Sequence, residues 1–213
     1  MKEAFSWVFP DQEKHFIDMI AKGVKKGRPA EYQYQARDKA LEYVKTFNRA
    51  IDVGANVGLW SRPLSEKFQV VESFEPMDVF TECLKINAPK AIIHKVALGE
   101  SETTVDLILT EENTGNTHVD SNTIGKGSLP MKTLDSFKFE EVNFIKLDCE
   151  GFEVAVIKGA VETLLRCKPI IVVEQKPHLH FAAEWGQYAA IDFLKSISFK
   201  VIDRVNDDWI LGF

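Results

Sequence analysis

The stretch Arg49-Ala50-Ile51-Asp52-Val53-Gly54-Ala55-Asn56-Val57-Gly58 decides the fold. It begins as a short apolar run, typical of a buried strand, and ends in a turn with two glycines. Apolar residues at helical spacing follow, namely Leu59, Trp60, Leu64 and Phe68. A strand, a glycine turn and a helix in this order open a nucleotide-binding α/β unit, because the glycines let the backbone pass close to a ligand.

The turn also discriminates between nucleotide ligands. In a Gly-x-Gly-x-x-Gly dinucleotide fingerprint the second glycine lets the chain touch the pyrophosphate, and Asn56 stands in that place here. A fixed carboxylate at Asp52, just before the turn, would repel a pyrophosphate but would accept hydrogen bonds from an ammonium or hydroxyl groups. S-adenosylmethionine carries those groups and no phosphate. The turn therefore favours S-adenosylmethionine over NAD, although glycine turns also occur without a ligand.

A second carboxylate is placed to act with the first. The run from Val70 to Pro76 predicts a second strand ending in Glu75, about 20 residues after the glycine turn, where a carboxylate can bind the ribose hydroxyls. The alternative is that Glu75 caps the helix that starts near Asp78. We favour the ribose role because Asp78 offers a cap of its own.

Composition limits the class of protein. A chain of 213 residues with a net charge of −6 predicts one substantial α/β domain and gives no electrostatic reason to expect nucleic acid. A local basic patch at Lys22–Arg28 could still meet phosphates. Three cysteines without zinc-site spacing predict reduced thiols in a cytoplasmic protein. Met1–Pro10 lacks the apolar core of a signal peptide, and no run approaches the roughly 18 apolar residues that cross a bilayer.

The domain is predicted as a single unit, residues 1–213, with an N-terminal helical cover (1–48) on a Rossmann-like core (49–213). The cover comprises helices at about 11–26 and 33–45, and its Tyr34 and Gln35 serve either in binding or in packing. A strand at 91–97 should end beside the adenine, so Ala97 and Leu98 are predicted to line that pocket or to belong to the sheet core. The irregular run 111–127 is predicted to border the acceptor through Asn116 and His118. An inert surface loop is the alternative.

The second chemical cluster lies at the end of the strand 142–147. Asp148 falls where ligands bind in open α/β sheets, and Asp148 and Glu150 are the candidates for catalysis. Glu153 lies in the first turn of the next helix, where the helix dipole accounts for it. Lys146 lies in a buried strand and needs a partner, since an unpaired buried ammonium is costly. Glu174, at the end of the next strand, is the predicted partner and also borders the substrate.

The end of the chain predicts an antiparallel hairpin. The strands 199–205 and 209–213 are joined by a turn at Asn206–Asp208, which is too short for a parallel crossover. His178 and His180 form a His-x-His pair, but no clear further ligands accompany them. We therefore assign no metal and predict that they face solvent or substrate.

The residues resemble the FkbM family of S-adenosylmethionine-dependent methyltransferases, and the first fifty residues look similar to short, phage-borne members. The matching motifs are Asp52–Gly58, Phe74-Glu75-Pro76, Thr133-Leu134-Asp135, Ile145–Glu153, Ile157 and Gly159-Ala160. The resemblance implies a class I methyltransferase fold, with a seven-stranded, mostly parallel sheet, an antiparallel last strand and helices on both faces. It implies O-methylation of a hydroxyl on a sugar or small natural product, with Asp52, Gly54 and Glu75 on the cofactor and Asp148 near the transferred methyl group.

Together these inferences define the predicted site. Its cofactor-binding residues are Asp52, Gly54, Ala55, Asn56, Gly58, Glu75, Pro76, Ala97, Leu98 and Asp148. Its catalytic residues are Asp148 and Glu150, and its substrate-binding residues are Asn116, His118 and Glu174. The expected acceptor is a small molecule or a glycan. Neither a nucleic acid nor a membrane is expected as a partner, and the oligomeric state does not follow from the sequence.

The predicted mechanism is an in-line displacement, with Asp148 as the first choice of base and Glu150 as the second. An ordinary aspartate, with a pKa of about 3.9, is a weak base for an alcohol. Burial or the nearby carboxylate of Glu150 would have to raise the pKa of Asp148, or else Asp148 only orients the acceptor hydroxyl. A divalent metal held by Asp148 and Glu150 is the third alternative. Two rival functions are a nucleotide-binding oxidoreductase, which Asn56 and the final hairpin disfavour, and a non-catalytic domain that retains the fold.

Overall fold

The computed structural model describes residues 1–110, 112–175 and 185–213. The described helices are α1 (His15–Lys25), α2 (Tyr34–Leu41), α3 (Ser61–Leu64), α4 (Asp78–Asn87), α5 (Glu153–Lys158), α6 (Val161–Cys167) and α7 (Ala189–Ser196). The described strands are β1 (Lys2–Ala4), β2 (Trp7–Phe9), β3 (Arg49–Val53), β4 (Val70–Phe74), β5 (Ile92–His94), β6 (Ala97–Leu98), β7 (Thr103–Val105), β8 (Leu107–Ile108), β9 (His118–Val119), β10 (Leu129–Lys132), β11 (Val142–Leu147), β12 (Ile170–Glu174), β13 (Lys200–Val205) and β14 (Asp208–Gly212).

A central sheet organises the chain. Its order is β13-β14-β12-β11-β3-β4-β5. The five strands from β12 to β5 run parallel, β14 runs antiparallel to β12, and β13 pairs antiparallel with β14. The predicted mostly parallel α/β sheet is confirmed, and the short turn before β14 makes the antiparallel hairpin expected from it. Every parallel strand therefore presents its carboxyl end at one edge of the sheet.

Helices cover both faces of this sheet. Successive strand residues point to opposite faces, so Ile51 packs in the core that includes residues of α5, α6 and α7. Its neighbour Ala50 packs in the second core, with residues of α2 and α3. The apolar run that opens the decisive stretch is therefore buried on both sides, as a central parallel strand requires. None of the described helices is both long and apolar enough to span a membrane.

The N-terminal segment is not purely helical, which corrects the prediction for residues 1–48. Strands β1 and β2 form an antiparallel hairpin ahead of α1. Its turn residues Phe5 and Ser6 have φ angles of 54° and 65°. Such turns are normally signalled by Asn and Gly, so the sequence carried no cue. Trp7 and Phe9 of β2 pack with Phe80 of α4 and with α1, which attaches the segment to the sheet layer.

The predicted strand at 91–97 is wrong as a single element. Strand β5 belongs to the central sheet, whereas β6 pairs with β10 in a separate three-stranded sheet of order β6-β10-β7. The following run, predicted to be irregular, contains β9, paired with β8, and short 3-10 turns at Thr114–Asn116 and Ser121–Thr123. Residues 112–127, called the insertion below, lie beside the carboxyl edge of the sheet.

The helix predicted to begin near Glu153 is two helices, α5 and α6. The break falls at Gly159, where an added Cβ would overlap the backbone carbonyl of Gly99. Asp135 then caps α6 from a distant part of the chain, because its two carboxylate oxygens accept the amide hydrogens of Glu162 and Thr163 at 3.0 and 2.8 Å. Leu165 of α6 is 42% exposed, whereas Leu164 is buried.

Candidate active site

A cavity opens where the carboxyl ends of β3, β4 and β11 meet, and it measures about 940 Å³ including its open mouth. The predicted site residues that line it are Asp52, Gly54, Ala55, Asn56, Glu75, Pro76, Ala97, Leu98, His118, Asp148 and Glu150. Ligands bind at this edge in open α/β sheets. The structure thus brings the glycine turn, the second acidic strand end and both catalytic candidates to one place.

The glycine turn is shaped by its neighbouring strands. Gly54 has a φ angle of 76°, and a Cβ built on it would overlap the carbonyl oxygen of Asp148. Its amide donates to the carbonyl of Phe74 at 3.1 Å. Asn56, with a φ angle of 48°, donates its amide to Oε2 of Glu75 at 3.0 Å. The turn therefore needs a glycine for the close approach of β11, and it holds the Glu75 carboxylate directly.

Gly58 does not line the cavity, which corrects its assignment to the cofactor. Its φ angle is 92°, and an added Cβ would lie 2.6 Å from Cδ1 of Leu84 and 3.6 Å from Cβ of Ala88. The second glycine of the turn therefore allows α4 to pack closely.

Glu75 both lines the cavity and holds the residue before α4, and its ribose contact stays a prediction. It is 4% exposed, and it lines the cavity. Its Oε1 also accepts the amide of Met77, the residue before α4, at 2.9 Å. Asp78 is the first residue of α4 and makes no capping bond, so the expected Asp78 cap is wrong. Burial raises the pKa of Glu75 to about 7, against the lowering effect of its bonds from the amides of Met77 and Asn56.

Asp52 lies deeper, at the end of β3, and is 2% exposed. Its Oδ2 accepts the hydroxyl of Ser61 at 2.6 Å, and Ser61 is itself 2.8 Å from the hydroxyl of Ser73. Burial raises the pKa of Asp52 to about 6, while the Ser61 bond and the ammonium of Lys146 act in the opposite direction. This carboxylate thus fixes the start of α3 and presents a face to the cavity.

Lys146 was predicted to pair with Glu174, but its main partner is Asp208. The Lys146 ammonium lies 3.0 Å from Oδ1 of Asp208, 3.5 Å from Oδ2 of Asp148 and 5.0 Å from the centre of the Trp60 ring. Burial alone would lower the pKa of Lys146, but Asp208 and then Asp148 and Glu174 outweigh it and raise that pKa. The last strand supplies Asp208, so the buried cation joins the final hairpin to the catalytic candidate.

Three carboxylates lie close together where β11 and β12 end. Oxygen atoms of Asp148, Glu150 and Glu174 lie within 4.8 Å of one another. Asp148 and Glu150 line the cavity, whereas Glu174 does not, and its Oε1 accepts the side-chain amide of Gln33 at 3.0 Å. Glu174 is thus brought to the cluster without facing the cavity itself. Carboxylate oxygens suit a divalent cation, so both routes that the sequence left open, a base or a metal, concern these residues.

Glu153 has the structural role that its helix position predicted. It is 1% exposed, and its Oε1 accepts the amides of Cys149 and Gly151 at 2.8 and 3.1 Å. Burial raises the pKa of Glu153 to about 7. Its carboxylate therefore shapes the loop that carries Asp148 and Glu150.

The insertion reaches the cavity, but only one of its two predicted contacts lines it. His118 lines the cavity, and its Nδ1 is 2.9 Å from the carbonyl oxygen of Asn116. Asn116 does not line the cavity, which corrects its assignment to the substrate. The segment contributes Thr114, Gly115 and Thr117 instead. Nothing in their residue types distinguished them, because the approach of α1 decides which side of the segment faces inward.

Aromatic residues of the N-terminal segment were missed in part. Phe16 and Tyr32 of this segment line the cavity, whereas Tyr34, the candidate chosen from the sequence, begins α2 and does not. The sequence thus indicated the right region, but the residue that lines the cavity, Tyr32, lies two positions before Tyr34. Trp60, the residue before α3, also lines the cavity. The predicted residues His178 and His180 lie outside the described part of the chain.

Comparison with known proteins identifies the family. A family model described as "Methyltransferase FkbM domain" matches residues 52–201. This chain belongs to the FkbM methyltransferase family. The match covers the glycine turn, both acidic strand ends and the catalytic candidates, and it leaves the N-terminal segment outside. The cofactor of the FkbM chain is S-adenosylmethionine. No curated protein sequence matched the chain.

Solved structures agree on the fold. Methyltransferase FkbM from Methylobacillus flagellatus KT has a TM-score of 0.53 and 16% identity, over 78% of this chain and 44% of that one. The ribosomal protein L11 methylase from Lactobacillus delbrueckii subsp. bulgaricus has a TM-score of 0.51 and 11% identity, over 83% and 74%. SMU.1697c, a putative methyltransferase from Streptococcus mutans in complex with SAH, has a TM-score of 0.51 and 11% identity, over 85% and 97%.

These likenesses show a class I methyltransferase fold. The FkbM chain spans under half of the length of the Methylobacillus protein that it matches. Its cavity suits the cofactor on chemical grounds, because buried carboxylates of Asp52 and Glu75 and the nearby Asp148 would meet a ligand that carries an ammonium, a sulfonium and ribose hydroxyls.

Proposed function

We propose that this chain is an S-adenosylmethionine-dependent O-methyltransferase whose acceptor is a hydroxyl group of a sugar or another small natural product. One observation carries the proposal. One cavity is lined both by Glu75, which follows β4, and by Asp148 and Glu150, which follow β11, on the two sides of the central strand β3. A nucleoside and an acceptor can therefore occupy adjoining parts of one space, as methyl transfer between them requires.

The β4 side of the cavity would hold the cofactor. Glu75 accepts the ribose hydroxyls, Asp52 faces the ammonium, and Ala97 and Leu98 give the adenine apolar contact. The backbone of Gly54 passes between these groups. S-adenosylmethionine, when bound, supplies a methyl group already activated by a positive sulfur atom.

The β11 side would hold the acceptor. Asp148 accepts the hydrogen bond of the acceptor hydroxyl and takes its proton as the new oxygen–carbon bond forms. The ammonium of Lys146 lies 3.5 Å from Oδ2 of Asp148 and helps to hold this carboxylate in place. Glu150, two residues later in the same loop, orients a second hydroxyl or serves as the base in place of Asp148. A divalent cation on these carboxylates is the other route to an activated hydroxyl.

The lining of this side suits a small, hydroxyl-rich molecule. Carboxylates accept hydrogen bonds from neighbouring hydroxyls, and Tyr32 and His118 add ring surface and further polar groups. The net charge of −6 disfavours nucleic acid as the acceptor. We propose a small molecule or glycan in the cytoplasm as the partner.

The experiment measures S-adenosylhomocysteine release from S-adenosylmethionine with a panel of mono- and oligosaccharides and hydroxylated natural products. Asp148→Asn is expected to lower turnover about 10²–10⁴-fold while the protein still binds S-adenosylhomocysteine. Glu162→Gln, an exposed carboxylate at the start of α6, is the matched control and should keep full turnover.

Two further arms separate the alternatives. Loss of turnover with EDTA and its recovery with Mg²⁺ would show that a bound cation, and not Asp148 as a base, activates the acceptor hydroxyl. Binding of NADH but not of S-adenosylhomocysteine would favour an oxidoreductase and would refute the proposal. If cells that carry Asp148→Asn kept all of their methylation products unchanged, another protein would be responsible for the transfer. This chain would then be a non-catalytic domain.

A further inference from the structure

Two segments from different parts of the chain roof the nucleoside end of the cavity. Helix α1 contributes Phe16, and the insertion contributes Thr114, Gly115 and His118. The two segments touch closely, because a Cβ added to Gly115 would lie 2.9 Å from Cζ of Phe16. A small displacement of either segment would therefore change the shape of the cavity.

A buried carboxylate joins the two segments. Glu13 is 0% exposed. Its Oε1 accepts the amide of Phe16 at 2.7 Å, and its Oε2 accepts the amide of Thr114 at 2.8 Å. Each oxygen thus satisfies one buried backbone donor, one on each half of the roof. A buried donor without an acceptor is unfavourable, so the closed arrangement of the roof depends on this side chain.

The same connection continues to the predicted ribose contact. The carbonyl of Thr114 accepts the side-chain amide of Asn56 at 3.0 Å. The backbone amide of Asn56 donates to Oε2 of Glu75 at 3.0 Å. Three hydrogen bonds therefore link Glu13, through Thr114 and Asn56, to the Glu75 carboxylate inside the cavity.

We infer that Glu13 is a positioning residue for S-adenosylmethionine binding, which closes the roof over the nucleoside and aligns Glu75 through Thr114 and Asn56. The inference rests on the proposed placement of the nucleoside at Glu75. It gives the N-terminal segment, which lies outside the family match, a part in the cofactor site. A second link, from the amides of Lys14 and His15 to the carbonyl of Glu112 at 3.1 Å, keeps the segments adjacent when Glu13 is changed.

The test compares Glu13→Gln with the wild type. Glutamine keeps the shape and one acceptor oxygen, but its amide group leaves one of the two backbone donors without an acceptor. Asp18→Asn removes the same charge from an exposed position in the first turn of α1 and is the matched control. The probe is S-adenosylhomocysteine, and its binding is followed by calorimetry and by stopped-flow tryptophan fluorescence, to which Trp60 in the cavity contributes.

We expect Glu13→Gln to raise the dissociation rate and the Kd of S-adenosylhomocysteine about tenfold, with Asp18→Asn within about twofold of the wild type. A lower melting temperature of unliganded Glu13→Gln with an unchanged Kd overturns the inference, since the role is then only structural. Equal weakening in both variants also overturns it. A wild type that binds no S-adenosylhomocysteine refutes the proposed function itself, so the two failures are distinguishable.

Hydrogen exchange of the wild type keeps the inference testable if Glu13→Gln does not fold. Closing of the roof and binding of the cofactor stabilise each other, so saturating S-adenosylhomocysteine should slow exchange of the Thr114 and Phe16 amides about tenfold or more. Equal exchange of both amides with and without the ligand overturns the inference.

Discussion

Lowering the pH from about 8 to about 6 should weaken the binding of S-adenosylhomocysteine about tenfold, because Glu75 binds the ribose best as a carboxylate. Burial raises the pKa of Glu75 to about 7. With that pKa, about nine tenths of the sites are ionised at the higher pH and about one tenth at the lower. Asp52, with a pKa of about 6, adds roughly a further factor of two at the acid end.

The unliganded fold should respond to pH in the opposite direction. The folded-state pKa values of Glu75, Asp52 and Glu153 are all raised above their ordinary values. Their contribution to stability is therefore fully present below those ordinary values and is lost as the pH rises through about 6 to 7. The free energy of unfolding without ligand should fall across this window, while the affinity for ligand rises.

The assay is calorimetric titration of S-adenosylhomocysteine at several pH values, with adenosine as a second ligand that lacks the amino-acid part. Glu75→Gln should bind more weakly at the higher pH and lose most of the pH dependence. An affinity that does not change between pH 6 and 8, or one that increases on acidification, would refute this account of Glu75. A pH dependence that persists undiminished in Glu75→Gln would assign it to another group.

Three further predictions concern stability, measured by urea unfolding. Lys146→Met should lower the free energy of unfolding by about 3–5 kcal/mol, since it leaves buried carboxylates without their cation. Adding Asp208→Asn should recover part of that loss, and strict additivity would contradict the pairing. Gly54→Ala should cost more than about 3 kcal/mol through overlap and strain, whereas Gly27→Ala, with positive φ but open space, should cost about 1 kcal/mol. Asp135→Ala should cost about 1–2 kcal/mol by removing the cap of α6, and an unchanged midpoint would refute that role.

Local pattern was enough for the sheet and the first acidic contacts. An apolar run, a turn with positive φ and a carboxylate at a strand end are each encoded within a few neighbouring residues. Parallel strands then bring their carboxyl ends to one edge, so Asp52, Glu75 and Asp148 could be placed together before any coordinates. The turn at Asn206–Asp208 is likewise too short to join parallel strands, so its length alone predicted that the last strand is antiparallel.

Contacts between distant segments could not be foreseen in this way. Lys146 had to have a partner, but the choice of Asp208 over Glu174 depends on how far the last strand reaches along its neighbour. Gly58 was assigned to the cofactor because the residues of the turn do not reveal that α4 packs closely against it.

The sequence by itself determined a class I α/β fold, its cofactor and the strand ends that hold the carboxylates, because periodicity and turn chemistry act over short distances. Only the tertiary structure decided which side chains roof and partner the site. Tyr32 and Thr114 reach the cavity, and Glu13 reaches the amide of Thr114, through packing between segments far apart in the chain. Residue type alone does not specify such packing.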